Sequence, residues 1–167
     1  MPVTYLTNGP GLVYVSGTIL GSSGNQFLGI SRDRIRANIN HYDGKIPSDN
    51  AGPVLGADWQ YFGKDATIRV SLTQLDTAVL DAIERLGQAD AGLLANIGAP
   101  MAQSGMTFQL KIPSTYKPWT FNNVILRPRG DAVGTEFTVI DLEFYAFSYI
   151  GNNTLGSNNR LFSHTFS

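Results

Sequence analysis

The chain has no cysteine, which rules out disulfides and thiolate metal sites and suits folding in a reducing compartment. Charge is sparse: Asp, Glu, Lys and Arg make up 15% of 167 residues, with 12 basic against 13 acidic side chains and a net charge of −1. No global basic field exists to gather nucleic acid. Few charges also imply that other molecules cover part of the surface. No apolar run approaches the ~18 residues a membrane span needs. The N-terminal stretch MPVTYLTNGPGLVYVSG lacks a basic segment followed by a continuous apolar one, so the expectation is a soluble protein made in the cytoplasm without a secretory signal. The sequence Asn-Asn-Thr at 152–154 fits a glycosylation acceptor, which has no meaning in that setting.

Catalytic signatures are missing too. The two histidines, His41 and His164, lie beside a turn and in the tail, with no Gly-x-Ser-x-Gly elbow to serve. Zinc lacks a third ligand at plausible spacing. The Gly63-Lys64 pair lacks the spacing and the following Ser or Thr of a phosphate loop. Asp43, Asp49 and Asp58 lack the alternating oxygen ligands of a calcium loop, and turn chemistry accounts for them. No metal, cofactor or catalytic residue is assigned, and the expectation is a protein that is not an enzyme.

What is present is alternation. LVYVSG (12–17), FLGISRDRIRANINH (27–41), ATIRVSL (66–72), MTFQLKIP (106–113), WTFNNVILRP (119–128) and GTEFTVIDLEFYAF (134–147) read as strands. In the second, Ile35, Ala37 and Ile39 oppose Arg32, Arg34 and Arg36. In the fourth, Phe108, Leu110 and Ile112 oppose Gln109 and Lys111. One helix is expected over about 73–86, capped by Thr73 with Asp76 in a capping-box position and ended by Gly87. Leu75, Ala78, Val79, Ala82, Ile83 and Leu86 would form its apolar stripe, worth on the order of 6–12 kcal/mol before entropy. Residues 88–105 are open to a second short helix followed by a loop.

The pattern gives one domain, 1–167. It is a mostly β sandwich or barrel with one packed helix, an N-terminal arm (1–12), a long loop (43–62) and a C-terminal tail (151–167). A loop of about 20 residues is long enough to suggest function. It holds Asp43, Pro47, Asp49 and the aromatics Trp59, Tyr61 and Phe62, which suit anchorage on this domain or a neighbouring subunit.

The last strand raises a sharper question. Thr138, Ile140, Leu142, Phe144 and Ala146 make the better core face, leaving Asp141 and Glu143 with Phe137, Val139, Tyr145 and Phe147 on the other. The two carboxylates lie ~7 Å apart. Their repulsion is about 2.4 kcal/mol at an effective dielectric near 20, which disfavours both being charged in a dry core. Paired carboxylates for acid/base hydrolysis are the enzyme alternative. A solvated or partner-facing surface fits better, with Arg32, Arg34 and Arg36 as possible charge partners.

The order of a Gly-punctuated arm, LGISRDRIRANINHYDGKIP, a long loop, GKDATIRVSLTQLD leading into a helix, and a final aromatic strand resembles phage tail tube proteins. The resemblance implies a β-sandwich or barrel assembled as a hexameric ring, with rings stacked into the conduit for phage DNA. One sheet of each subunit would join a continuous channel wall, and arms and the loop would bridge rings. Asp141 and Glu143 would face the lumen and repel passing DNA rather than bind it. The implied location is the virion tail, with host cytoplasm during assembly, and the implied partners are copies of the chain and other virion proteins. A tail terminator, head–tail connector or capsid decoration protein shares the same features. A carbohydrate-binding β-sandwich using Trp59, Tyr61 and Trp119, and a hydrolase built on the two carboxylates, are the readings from other classes.

Overall fold

The computed structural model describes residues 11–48, 52–84, 107–114, 117–127, 140–148 and 160–164. The turn at Asp49, the helix end at Gly87, residues 88–105, the start of the final strand at 134–139 and most of both terminal segments lie outside the described residues. The fold is mostly β with one helix. Its strands are β1 (Leu12–Gly17), β2 (Ser22–Ser31), β3 (Arg36–Ser48), β4 (Gly52–Leu75), β5 (Phe108–Ile112), β6 (Trp119–Leu126), β7 (Ile140–Phe147) and β8 (Phe162–Ser163); α1 spans Thr77–Ile83.

All pairings are antiparallel, in the order β2-β1-β5-β6-β7-β4-β3, with β8 added to β6. A further pairing joins β2 to the C-terminal end of β4 through Gly29↔Leu75, Ile30↔Gln74 and Ser31↔Leu72. That seam joins the β2 end of the path to β4, the strand next to its other end, so six strands enclose the core in a barrel-like wall and β3 lies outside the circuit. Alternation decides what points inward. Val13 and Val15, Ala66, Ile68, Val70 and Leu72, Phe108 and Leu110, and Leu142, Phe144 and Ala146 are all buried. Phe108 meets Phe144 edge-on at 6.1 Å, a favoured aromatic geometry. Val79, Leu80 and Ile83 of α1 complete this core.

Three boundaries differ from the sequence expectation. The helix begins at Thr77 with Asp76 as its N-cap, whose carboxylate accepts from the amides of Ala78 at 3.0 Å and Val79 at 3.3 Å. Thr73 and Leu75 instead belong to β4, because the edge of β2 offers this segment ladder partners that a helical first turn would leave unmade. The continuous strand expected over 27–41 breaks at 32–35 into β2 and β3. The long loop is the largest correction. Residues 43–62 carry Asp43↔Tyr61, Gly44↔Gln60, Lys45↔Trp59, Ile46↔Asp58 and Pro47↔Gly56 pairings, so the segment is the distal part of a β3–β4 hairpin. Bulges between Tyr42 and Asp43 and on either side of Pro47 accommodate its turn-forming residues.

Candidate functional site: the outward sheet face and the β3–β4 arm

The outward face of β7, β4 and β3 is built in register. Glu143 lies opposite Arg69, and Arg69 opposite Arg36; Asp141 lies opposite Ser71; Tyr145 opposite Thr67, and Thr67 opposite Asn38. Asp141 and Glu143 point away from the buried side chains of Leu142 and Phe144. Each carboxylate has a partner. Ser71 donates its hydroxyl to Asp141 at 2.5 Å. Glu143 receives Arg69 on Oε1 at 3.4 Å and Arg127 on Oε2 at 3.3 Å. Arg127 also donates its backbone amide to the Glu143 carbonyl at 2.9 Å. With Val70 and Leu142, these residues line an open concavity of about 520 Å³.

Within the chain, the partners of the two carboxylates are Arg69, Arg127 and Ser71 rather than Arg32, Arg34 or Arg36. Arg32 pairs with its neighbour Asp33 at 2.7 Å, Arg34 is exposed in the link between β2 and β3, and Arg36 is separated from Glu143 by the whole of β4. Arg69 and Arg127 take the role because antiparallel register sets Arg69 directly across from Glu143 and ends β6 beside it. The face consequently holds Arg36, Arg69 and Arg127 against Asp141 and Glu143. It is a mixed surface with three cations against two anions rather than an anionic one, and electrostatic repulsion of DNA by bare carboxylates does not follow from it.

Past the last β4–β7 pair, Asp65↔Phe147, the β3–β4 hairpin continues without a third strand among the described residues. Eight residues of β3, His41–Ser48, carry it roughly 26 Å further. Exposed aromatics crowd this arm: Tyr42 is 49% exposed, Tyr61 55%, Trp59 56% and Phe62 60%. Lys45 lies over the Trp59 ring at 5.9 Å, and His41 Nδ1 is 3.3 Å from the Tyr61 hydroxyl, so one face of the arm bears Trp59 and Tyr61 with these polar neighbours. Phe62 lies against Gly44 instead, where an added Cβ would sit 2.9 Å from its ring.

At the root of the arm lies a group the sequence did not mark. Asp65 is only 8% exposed and accepts three hydrogen bonds: from Tyr145 Oη at 2.6 Å, Tyr42 Oη at 2.7 Å and Asn40 Nδ2 at 2.8 Å. Burial pushes the Asp65 carboxyl up, but the three donors, Tyr145 foremost, outweigh it and leave the group below its ordinary value. The same hydrogen bond holds the Tyr145 hydroxyl in its neutral form and pushes its pKa up to about 12.

Trp119 belongs to a second aromatic cluster, which meets the root of the arm where Lys64 lies over the Phe162 ring at 4.5 Å. Trp119 stacks on Phe121 at 5.8 Å and contacts Phe162 at 4.9 Å and His164 at 4.5 Å, while His164 Nδ1 lies 3.1 Å from the Pro118 carbonyl oxygen. These contacts dock residues 160–164 on β6, with Leu161 fully buried. Trp119 and Trp59 thus belong to separate clusters and do not form one stacking platform.

No family model matches the sequence, and no curated protein matches it.

Proposed function

We propose that the chain is a structural, self-assembling virion subunit, of the phage tail tube type, whose rings stack into a conduit for DNA. The observation that carries the reading is the arm. A two-stranded ribbon is at best marginally stable alone in water, and one that displays Tyr42, Trp59, Tyr61 and Phe62 gains most when those rings are covered by another surface. The partner we assign is a second copy of the chain. Among the described residues, the outer edge of β3 and the 52–63 edge of β4 both lack a paired strand, and both belong to one sheet. Pairing such edges head to tail between copies extends the sheet from subunit to subunit and closes into a ring when the rotation permits.

In this arrangement the outward face of β4 and β7 lines the conduit. Its ion-paired Glu143 and hydroxyl-bonded Asp141 offer a sliding phosphate backbone no uncompensated row of cations to which it would adhere. This reading assigns no catalytic step, cofactor or sequence-specific nucleic-acid contact.

Negative-stain electron microscopy of the purified protein over a concentration series tests it. Rings or hollow tubes are expected for the intact chain and not for a variant whose residues 44–61 are replaced by a short Gly-rich turn. Discrete rings that never stack would favour a terminator or connector. Monomers at every concentration would overturn the assembly reading.

A further inference from the structure

Asp65 sits where three structural changes coincide. The β4–β7 ladder ends there at Asp65↔Phe147. The β3–β4 ladder shifts register between Tyr42 and Asp43, opposite Gly63 and Tyr61. Gly63 has φ +134 with nothing within 4 Å of its missing side chain, so a backbone conformation that favours glycine is placed at this point without any packing demand for a small residue. A ribbon that loses its third strand at a bulge and a glycine is free to swing about that point unless something fixes it.

The donors to Asp65 come from both sides of the junction. Tyr145, Asp65 and its ladder partner Asn40 belong to the paired wall, while Tyr42 of β3 lies past it, at the bulge itself. The two tyrosine hydroxyls converge on the same carboxylate oxygen, Oδ2. Tyr42 is half exposed and packs little, so its hydroxyl is its main tie to the wall.

We infer that Asp65 is a positioning residue that locks the root of the β3–β4 arm to the barrel wall and sets the angle at which the arm leaves it. Its carboxylate joins a β3 hydroxyl to a β7 hydroxyl across β4, a link that neither backbone ladder supplies. The lock concerns the isolated chain; only its consequence for assembly rests on the proposed function, where a wrongly angled arm would miss the neighbouring copy.

Amide hydrogen exchange on the full-length protein under dilute, monomeric conditions is the test. Asp65→Asn keeps the volume but gives up the charge and one accepting oxygen, and charge-assisted bonds are the strong ones. Exchange at residues 40–45 and 60–65 should speed up by about tenfold or more, with β5 and β6 within about twofold of wild type. Tyr42→Phe removes one hydroxyl from a half-exposed ring and should give a smaller, severalfold increase at the same amides; it decides the matter if Asp65→Asn does not fold. Unchanged exchange at the root in a folded variant, or an equal acceleration in β5 and β6, would overturn the inference. If the wild type also forms tubes, Asp65→Asn should raise the concentration needed for them. If it never does, the assembly reading fails while the exchange data still decide the lock.

Discussion

Gly29 offers the most direct challenge to the closed wall. A Cβ placed on it would stand 2.2 Å from the Gln74 carbonyl oxygen and 3.1 Å from Leu72 Cδ1, against a contact distance between carbons that begins at about 3.5 Å. The obstacle is backbone, so no rotamer change relieves it, and Gly29→Ala must push β2 away from β4. The seam is short. It consists of three residue pairs flanked by the Arg32 amide on the Ser71 carbonyl at 2.7 Å and the Asp76 amide on the Leu28 carbonyl at 2.9 Å. Overpacking alone costs about 1–3 kcal/mol, and each seam hydrogen bond lost adds about 0.5–1.5 kcal/mol. A total of about 2–5 kcal/mol is a large share of the ~5–15 kcal/mol that holds a domain together, and it should lower Tm by about 5–15 °C for a chain of this length. Urea unfolding followed by far-UV circular dichroism and tryptophan fluorescence measures it. Gly24→Ala serves as the control: it lies in the same strand with nothing within 4 Å and should stay within about 0.5 kcal/mol of wild type. If Gly29→Ala also stays within that range, β2 and β4 are not in close contact and the wall is open.

Phe144→Ala removes a fully buried ring in edge contact with Phe108 and should cost about 3–5 kcal/mol by the same denaturation assay. Asp76→Ala deprives α1 of its cap and should cost about 1 kcal/mol, a loss that Asp76→Ser largely restores. Glu143→Gln breaks two surface ion pairs 3.3–3.4 Å long and should change stability by less than about 1 kcal/mol; a larger loss would show that the pairs are better shielded than their exposure indicates. The Asp65–Tyr145 link sets the pH response. Because the Asp65 carboxyl is lowered in the folded state, its contribution is present above the ordinary carboxylate range and is lost as pH falls through the lowered value. The Tyr145 hydroxyl is raised from 10.0 to about 12, so its contribution is full below pH 10 and fades between there and about 12. Tyr145→Phe should flatten the alkaline limb of a stability–pH curve, and an unchanged limb would show that another group causes it.

The inward face of the last strand was legible because alternation is local: Leu142, Phe144 and Ala146 identify the core side without knowledge of any other strand. Pairing partners are not local, and there the sequence says less. Arg69 stands in a plain alternating run, yet its position across from Glu143 depends on a register set 74 residues away. The arm was hidden by its own composition, since Gly44, Pro47, Gly52, Pro53 and Gly56 advertise turns more loudly than the ladder that overrides them. Lys111 misled through the same alternation that served elsewhere. It lies on the outward side of β5 as expected but is 4% exposed, with its ammonium on Asn25 Oδ1 at 2.6 Å, and burial pushes its pKa down. Asp65 carries no mark in the sequence, because its donors are 23 to 80 positions distant.

The length of β4 has a mechanical consequence. One unbroken strand of 24 residues runs from the tip of the arm, along the wall between β7 and β3, past the seam with β2 and directly into the cap of α1. A pull applied at the arm tip along this strand loads the eight residue pairs with β7 in parallel, as shear, so they must yield together rather than one after another. A sideways pull on β3 instead peels its pairs from the tip inward, one at a time. The fold is therefore stiff to traction along β4 and weak to unzipping from the β3 edge, and single-molecule extension from those two attachment points should give a high rupture force for the first and a low, stepwise one for the second.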